Sequence, residues 1–172
     1  MSFTKNSFLA AVLVAAVVFA AAAAAADHGG RGHRGRDHGH GHGHKTVLRQ
    51  HLVGSILSDQ NIHGVVRGGL PWQGGGDATL SRKGRFEARI RGLIIPSLGN
   101  AGPVTSITIS LYCSPDSDPA AAFTTQSVPL SQSGNARVRQ HVTVPSRCLA
   151  PVLLVHPNGG AGAYIAATGF TS

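Results

Sequence analysis

The feature that most constrains this chain is a strict alternation of charged and apolar residues over residues 85–91. Phe86, Ala88 and Ile90 fall on one side of the alternation, and charged residues occupy every position between and around them. Successive side chains of a β-strand point to opposite faces, so a period of two predicts a half-buried strand of an antiparallel sheet.

The same alternation recurs over residues 104–113 and 136–144, where Ile107, Ile109, Leu111, Val138 and Val142 are expected to point inward. Weaker strand candidates lie at 62–66, 77–81, 123–130, 152–155 and 164–168, and turn residues separate the runs at 82–84, 133–135 and 156–160. Short strands at this spacing, without a long helical pattern, predict an all-β domain over residues 46–172.

For this domain we predict an antiparallel two-sheet, immunoglobulin-like sandwich of about 7–8 strands. A barrel is the alternative, and the sandwich is favoured because the alternation leaves each strand one solvated face. Residues 47–57 have an apolar spacing that fits a short helix as well as an edge strand.

Residues 1–26 have the pattern of a secretory signal peptide, with Lys5 followed by an uncharged apolar stretch and an alanine run. A retained transmembrane anchor is the alternative, because the uncharged stretch is just long enough to span a bilayer. Its last third is only weakly apolar alanine, and no basic stop-transfer flank precedes Asp27. The sequence therefore predicts a protein that is secreted or extracytoplasmic, in the periplasm or cell envelope, with no stable membrane span after cleavage.

Residues 27–45 form a His/Gly-rich tail or linker that we predict to be disordered, because it contains no apolar residue to bury. Neutral imidazoles alternating with glycine can turn toward one ion, and imidazole suits Cu(II), Ni(II) and Zn(II). The candidate metal ligands are His28, His33, His38, His40, His42 and His44. The alternative is that the tail is a soluble spacer whose sequence drifted into a His/Gly-rich composition. The rest of the sequence gives no reason to expect a required cofactor.

The position at which the signal peptide is cleaved determines whether the new N-terminus can form a more specific metal site. Cleavage after Ala25 leaves Ala26-Asp27-His28 at the terminus, where the amine, two amides and the third-residue imidazole can form a square-planar Cu(II) or Ni(II) site. Cleavage after Ala26 loses that arrangement, and the small-residue rule permits both.

Cys113 and Cys148 are the two cysteines of the chain. In an exported protein this pair predicts a disulfide rather than a metal or redox site. A bridge closing a loop of this length stabilises the folded state by roughly 3–4 kcal/mol in the chain-entropy account.

A net charge of +8 raises the question of an anionic partner. The alternation puts Arg85, Arg89, Arg91, Arg137 and Arg139 on the solvated faces of two strands. If those strands share a sheet, the five guanidinium groups form one patch suited to phosphate or carboxylate groups of an anionic cell-envelope polymer, or to another surface protein. Solubility and protection of strand edges are the alternative role. No nucleic-acid-binding motif accompanies the charge, so we expect no nucleic-acid partner.

No catalytic motif occurs in the domain: there is no Gly-x-Ser-x-Gly, His-Glu-x-x-His or phosphate-binding loop. Asp116 and Asp118 have a calcium-like spacing without the further acidic ligands and glycine of a calcium loop. We therefore expect a non-enzymatic binding or structural module of the cell envelope or extracellular space. Transition-metal binding through the tail is the alternative function, and a small secreted hydrolase is a remote one.

Three groups of segments together resemble a known family. The first group comprises residues 69–72, 76–81, 84–85 and 91–96. The second is Ser110-Leu111-Tyr112-Cys113. The third comprises residues 128–131, 134–136 and 144–151. In this order they are similar to short exported bacterial proteins of unknown function, over about residues 62–170. The resemblance implies a β-sandwich with the same single disulfide, and it implies no activity.

The tail hypothesis predicts that the exported protein binds Cu(II) or Ni(II) and that deletion of residues 27–45 abolishes this binding, because those residues carry the clustered imidazoles. Isothermal titration calorimetry of the full and shortened chains measures it. Equal binding by the shortened chain would contradict the hypothesis.

Overall fold

The computed structural model describes residues 45–114 and 120–170 of the chain. These residues form eleven β-strands and no helix. The strands are β1 (Thr46–Gly54), β2 (Val66–Arg67), β3 (Gln73–Ser81), β4 (Arg85–Ile94), β5 (Ser106–Tyr112), β6 (Phe123–Thr124), β7 (Val128–Pro129), β8 (Ala136–His141), β9 (Val152–Pro157), β10 (Ala163–Tyr164) and β11 (Ala166–Thr168). The expected all-β class is confirmed, and residues 47–54 of the ambiguous segment 47–57 belong to strand β1.

Nine strands form one continuous sheet in the order β6-β5-β9-β11-β1-β3-β4-β8, with β7 also paired to β5. All its pairings are antiparallel, as predicted. β2 and β10 form a separate short parallel pair. The predicted division into two packed sheets is not confirmed, because the large sheet is rolled into a half-barrel instead.

The two ends of the rolled sheet meet through glutamine side-chain hydrogen bonds. The backbone N–H of Gln126, between β6 and β7, donates to Oε1 of Gln140 on β8 at 2.8 Å. Nε2 of Gln140 donates back to the carbonyl oxygen of Gln126 at 3.1 Å. Inside, the rings of Phe86 on β4 and Phe123 on β6 pack edge to face with centroids 5.3 Å apart. The roll therefore encloses one main core.

The alternation correctly predicted which side chains enter that core. Phe86 is 0% exposed and Ile90 1% exposed, whereas Arg85 and Arg89 are exposed. The remaining predicted inward positions that are fully buried include Ala88, Ile107, Ile109, Leu111 and Val138. Trp72 is also buried in this core.

β5 and β9 differ from the prediction, because both are buried on their two faces. On β5, Thr108, Ser110 and Tyr112 are buried although they alternate with core residues. A second small cluster covers this outer side; its buried members are Val65, Tyr112, Leu154, Tyr164 and Ala167. The continuous apolar run over residues 152–155 is the sequence signal that fits two-sided burial.

Several predicted strand limits change in the structure. β3 starts at Gln73 rather than at residue 77, and the segments 123–130 and 164–168 each fall into two short strands. Only Val66 of the predicted strand 62–66 belongs to β2, because Ile62 and Val65 bridge each other in a tight turn. Gly84 has a φ of 85° between β3 and β4, as expected for a turn that needs positive φ.

The disulfide between Cys113 and Cys148 is confirmed, with Cα atoms 4.7 Å apart. It joins the end of β5 to the segment that follows β8. Both half-buried cysteines pack against the main core. The bridge therefore holds the 142–151 segment across one end of the half-barrel.

Three consecutive glycines lie near the start of β3, an interior strand of the sheet. A Cβ atom on Gly75 would overlap the carbonyl oxygen of Leu52 on β1, and one on Gly76 would overlap that of Arg89 on β4. Glycine inside a strand marks such close backbone approach, and glycine kinks let sheets curve. The run therefore explains how β1, β3 and β4 coil tightly enough for the sheet to roll.

We predict that Gly76→Ala destabilises the fold by more than about 2 kcal/mol, because the added Cβ has to displace backbone rather than a flexible side chain. Urea unfolding followed by Trp72 fluorescence measures the change. Gly69→Ala is the matched control, since nothing lies within 4 Å of a Cβ at that position. Equal midpoints for the two variants would contradict the role assigned to the β3 glycines.

Candidate functional site

Five arginines of β4 and β8 lie on one exposed face of the sheet, which we call the arginine face: Arg85, Arg89, Arg91, Arg137 and Arg139. β4 and β8 are hydrogen-bonded neighbours, so the condition under which the sequence predicted a single patch is met. The alternation sends their neighbours Phe86, Ala88, Ile90 and Val138 into the core. Core packing on one side of the strands thereby holds the guanidinium groups on the other.

The register between β4 and β8 places like charges side by side. Arg89 lies directly opposite Arg137. Glu87 lies opposite Arg139, and Arg85 lies opposite His141. Directly opposite Cβ atoms in an antiparallel pair are about 5 Å apart, and like charges at such positions destabilise the sheet.

Two carboxylates, Glu87 and Asp77, lie in the neighbourhood of these arginines. Asp77 on β3 is opposite both Arg89 and His51 in the ladder, and its Oδ1 lies 3.2 Å from Nδ1 of His51. Within residues 45–114 and 120–170, the His51–Asp77 contact is the only one of 4 Å or less between a carboxylate and a Lys, Arg or His side chain. The five guanidinium groups therefore have no ion-pair partner among the described residues.

The arginine face contains two shallow, open hollows rather than a deep pocket. One is lined by Arg85, Arg139, His141 and Glu87. The other is lined by Arg89, Arg91 and Arg137 together with the carboxylates Asp77 and Glu87. Guanidinium groups form bidentate hydrogen bonds with phosphate and carboxylate, so these hollows can hold anionic groups of an extended ligand.

His156 belongs to a buried polar chain that the sequence did not reveal. Its Nδ1–H donates to the carbonyl oxygen of Ala163 at 2.7 Å, which leaves Nε2 to accept from the Ser110 hydroxyl at 3.0 Å. The Ser110 oxygen lies 2.8 Å from that of Thr124. Ser110 and His156 are 0% exposed. Sequence analysis placed His156 in a turn, but it lies within β9, and its hydrogen bonds tie β9 to β5.

The remaining histidines of the described chain are dispersed. His63 is buried and stacks on Tyr112 with ring centroids 4.9 Å apart, and its Nδ1 has no hydrogen-bond partner among the described residues. His141 is exposed on the polar side of β8, as predicted. Across residues 45–114 and 120–170 no three His, Cys, Asp or Glu side chains are grouped closely enough to hold a metal ion.

The predicted signal peptide lies outside the described residues, and so do the six candidate metal ligands of the tail: His28, His33, His38, His40, His42 and His44. Asp116 and Asp118 also lie outside them. Metal binding by the tail therefore stays a prediction.

The disulfide indicates an oxidising, extracytoplasmic environment. In the part of the chain that the structure describes, no helix is long and apolar enough to cross a membrane.

No protein-family model, curated protein or solved structure matches this chain. The resemblance to short exported bacterial proteins of unknown function stays a prediction.

Burial lowers the pKa of His156 below its ordinary value of 6.5, and the hydrogen bond to Ala163 opposes this only in part. As the pH falls below 6.5, the unfolded chain binds a proton at this residue before the folded chain does. We therefore predict that the free energy of unfolding decreases from pH 7 to pH 5. Urea unfolding across this range measures the slope.

His156→Gln should reduce that slope, and His141→Gln, at an exposed position of β8, is the matched control for the substitution itself. The same slope in the His156→Gln variant would contradict the assignment.

Proposed function

We propose that this protein is an exported, non-enzymatic binding module that holds an anionic polymer of the cell envelope or extracellular space on its arginine face. The signal-like residues 1–26 and the disulfide support export. The proposed function requires that β4 and β8 are neighbours, as they are in the rolled sheet. It does not require the immunoglobulin-like sandwich that the sequence predicted.

The observation that carries the proposal is the direct opposition of Arg89 and Arg137, neither of which has an ion pair within 4 Å among the described residues. Asp77 lies opposite Arg89 on its other side, but its carboxylate contacts His51. Two like charges at opposite ladder positions lower stability, so this arrangement is unfavourable for a chain that lacks a ligand. An anion bound between the two guanidinium groups removes the repulsion and uses both as donors.

The spacing of the arginines favours a polymer over a small anion. Arg89 and Arg91 are two residues apart on β4, as are Arg137 and Arg139 on β8, and such positions are about 7 Å apart along a strand. A chain with repeating phosphate or carboxylate groups can contact several guanidinium groups at once. Each contact then raises the effective concentration for the next one.

The alternative role of these arginines is protection of the β8 edge against pairing with other molecules. It explains Arg137 and Arg139, which lie on the edge strand. It does not explain Arg85, Arg89 and Arg91, because β4 is paired on both sides.

We predict that replacing Arg85, Arg89, Arg137 and Arg139 together by Glu weakens binding of long-chain polyphosphate more than tenfold, because the site loses its donors and gains repulsion. Isothermal titration calorimetry at low and physiological salt measures the affinity. The wild-type affinity should fall as salt rises, since the charges are exposed.

The control variant carries the same change of net charge at exposed bases outside the arginine face: Lys45, Arg49, Lys83 and Arg147, all replaced by Glu. This control variant should keep most of the wild-type affinity for polyphosphate. The proposal would be overturned if the wild-type protein did not bind polyphosphate, or if both variants lost affinity equally.

A further inference from the structure

A cavity of about 500 Å³ opens at the end of the half-barrel that the disulfide bridges. Its walls come from β1, β3, β5 and the segment after β8, and its apolar lining includes Val47, Leu80, Leu111, Val144 and Cys148. Ligand pockets of proteins have volumes of about 300–1,000 Å³ and mainly apolar linings with a few polar groups. The cavity therefore has the volume of a small-molecule site, and its lining combines apolar and polar surface.

The floor of this end cavity is part of the main core. Leu80 is 2% exposed and Leu111 is 1% exposed, and both belong to that core. The rigid sheet thus supplies one wall of the cavity, and the disulfide holds Cys148 in the opposite wall against the end of β5.

The mouth of the end cavity combines an apolar and a basic side chain. Val47 is 46% exposed, which is high for a large apolar residue beside a core. Arg82, also exposed, is the one charged residue among the described residues that line the cavity. Its backbone N–H donates to the carbonyl oxygen of Lys45 at 2.8 Å, which holds this rim against the start of β1.

The hydroxyl of Ser146 is a further polar group of the lining. A neighbouring hollow shares Arg82 and Val144 with the cavity and adds Lys83 and His141. An anionic group at Arg82 would therefore lie at the boundary between the apolar interior and a basic surface, where guanidinium hydrogen bonds are available to it.

From these observations we infer that the end cavity binds an amphiphile with a single aliphatic chain and an anionic headgroup. The chain occupies the space lined by Val47, Leu80 and Leu111, and the headgroup accepts hydrogen bonds from Arg82. This site is separate from the arginine face and does not depend on the proposed function.

The full chain should bind dodecanoate and dodecyl phosphate, measured by isothermal titration calorimetry below their micelle concentrations. Each methylene removed from the probe should weaken binding by at most about fourfold, which is the effect of transferring one fully buried methylene from the site to water. Dodecanol should bind more weakly than dodecanoate, since it lacks the charge that Arg82 recognises.

Two substitutions test the two halves of the site. Val47→Trp should fill the mouth and weaken dodecanoate binding at least tenfold. The matched control is Val66→Trp on β2, where the wild-type valine is 47% exposed and lies outside the cavity lining; this variant should bind dodecanoate as the wild type does.

Arg82→Glu should weaken dodecanoate binding at least fivefold and leave dodecanol binding unchanged. Its control, Arg49→Glu, should change the binding of neither probe.

Three outcomes would overturn the inference: no binding of either anionic probe by the full chain, equal losses in Val47→Trp and Val66→Trp, or binding that appears only after residues 27–44 are removed. The last result would mean that the chain's own segment occupies the cavity. The variant with four arginines of the arginine face replaced should still bind dodecanoate, so failure of the proposed polymer binding leaves this test intact.

Discussion

The close backbone approach at Gly75 and Gly76, near the start of β3, is the constraint on which the rest of the structure depends. Gly75 and Gly76 have no room for a side chain, because the carbonyl oxygens of Leu52 and Arg89 occupy the space where a Cβ would lie. A sheet that can coil this tightly need not split into two packed layers to bury its apolar face. It rolls until Gln126 and Gln140 meet, and the concave side becomes the main core.

The rolled sheet has a covered half and a solvated half, and this division decides where a binding surface can lie. On the covered half, β5 and β9 are buried on both faces, and the polar groups there form hydrogen bonds with one another, as Ser110 and His156 do. Unpaired charges could not be placed in that environment without a large desolvation cost. The arginines occur on β4 and β8, whose outer side is open to water.

The two proposed sites lie at different places on the same domain and bind their ligands through different interactions. The arginine face is shallow and solvated, so its interactions are screened by salt and depend on several weak contacts acting together. The end cavity lies between core leucines and a disulfide-bound segment, so in the proposed complex burial of apolar surface supplies affinity and Arg82 supplies selectivity for an anion. A ligand that suits one site is therefore a poor ligand for the other.

The sequence by itself determined the strand class, the inward and outward residues of β4 and β8, and the disulfide, because a period of two and a single cysteine pair are local or unambiguous signals. It also identified all five residues of the arginine face. Only the tertiary structure decided that β4 and β8 are neighbours, that Arg89 opposes Arg137, that one rolled sheet replaces two layers, and that an apolar cavity opens beside Cys148. The physical reason is that alternation reports which face of a strand is buried but not which strand pairs with it; partners and register follow from contacts between residues far apart in the chain.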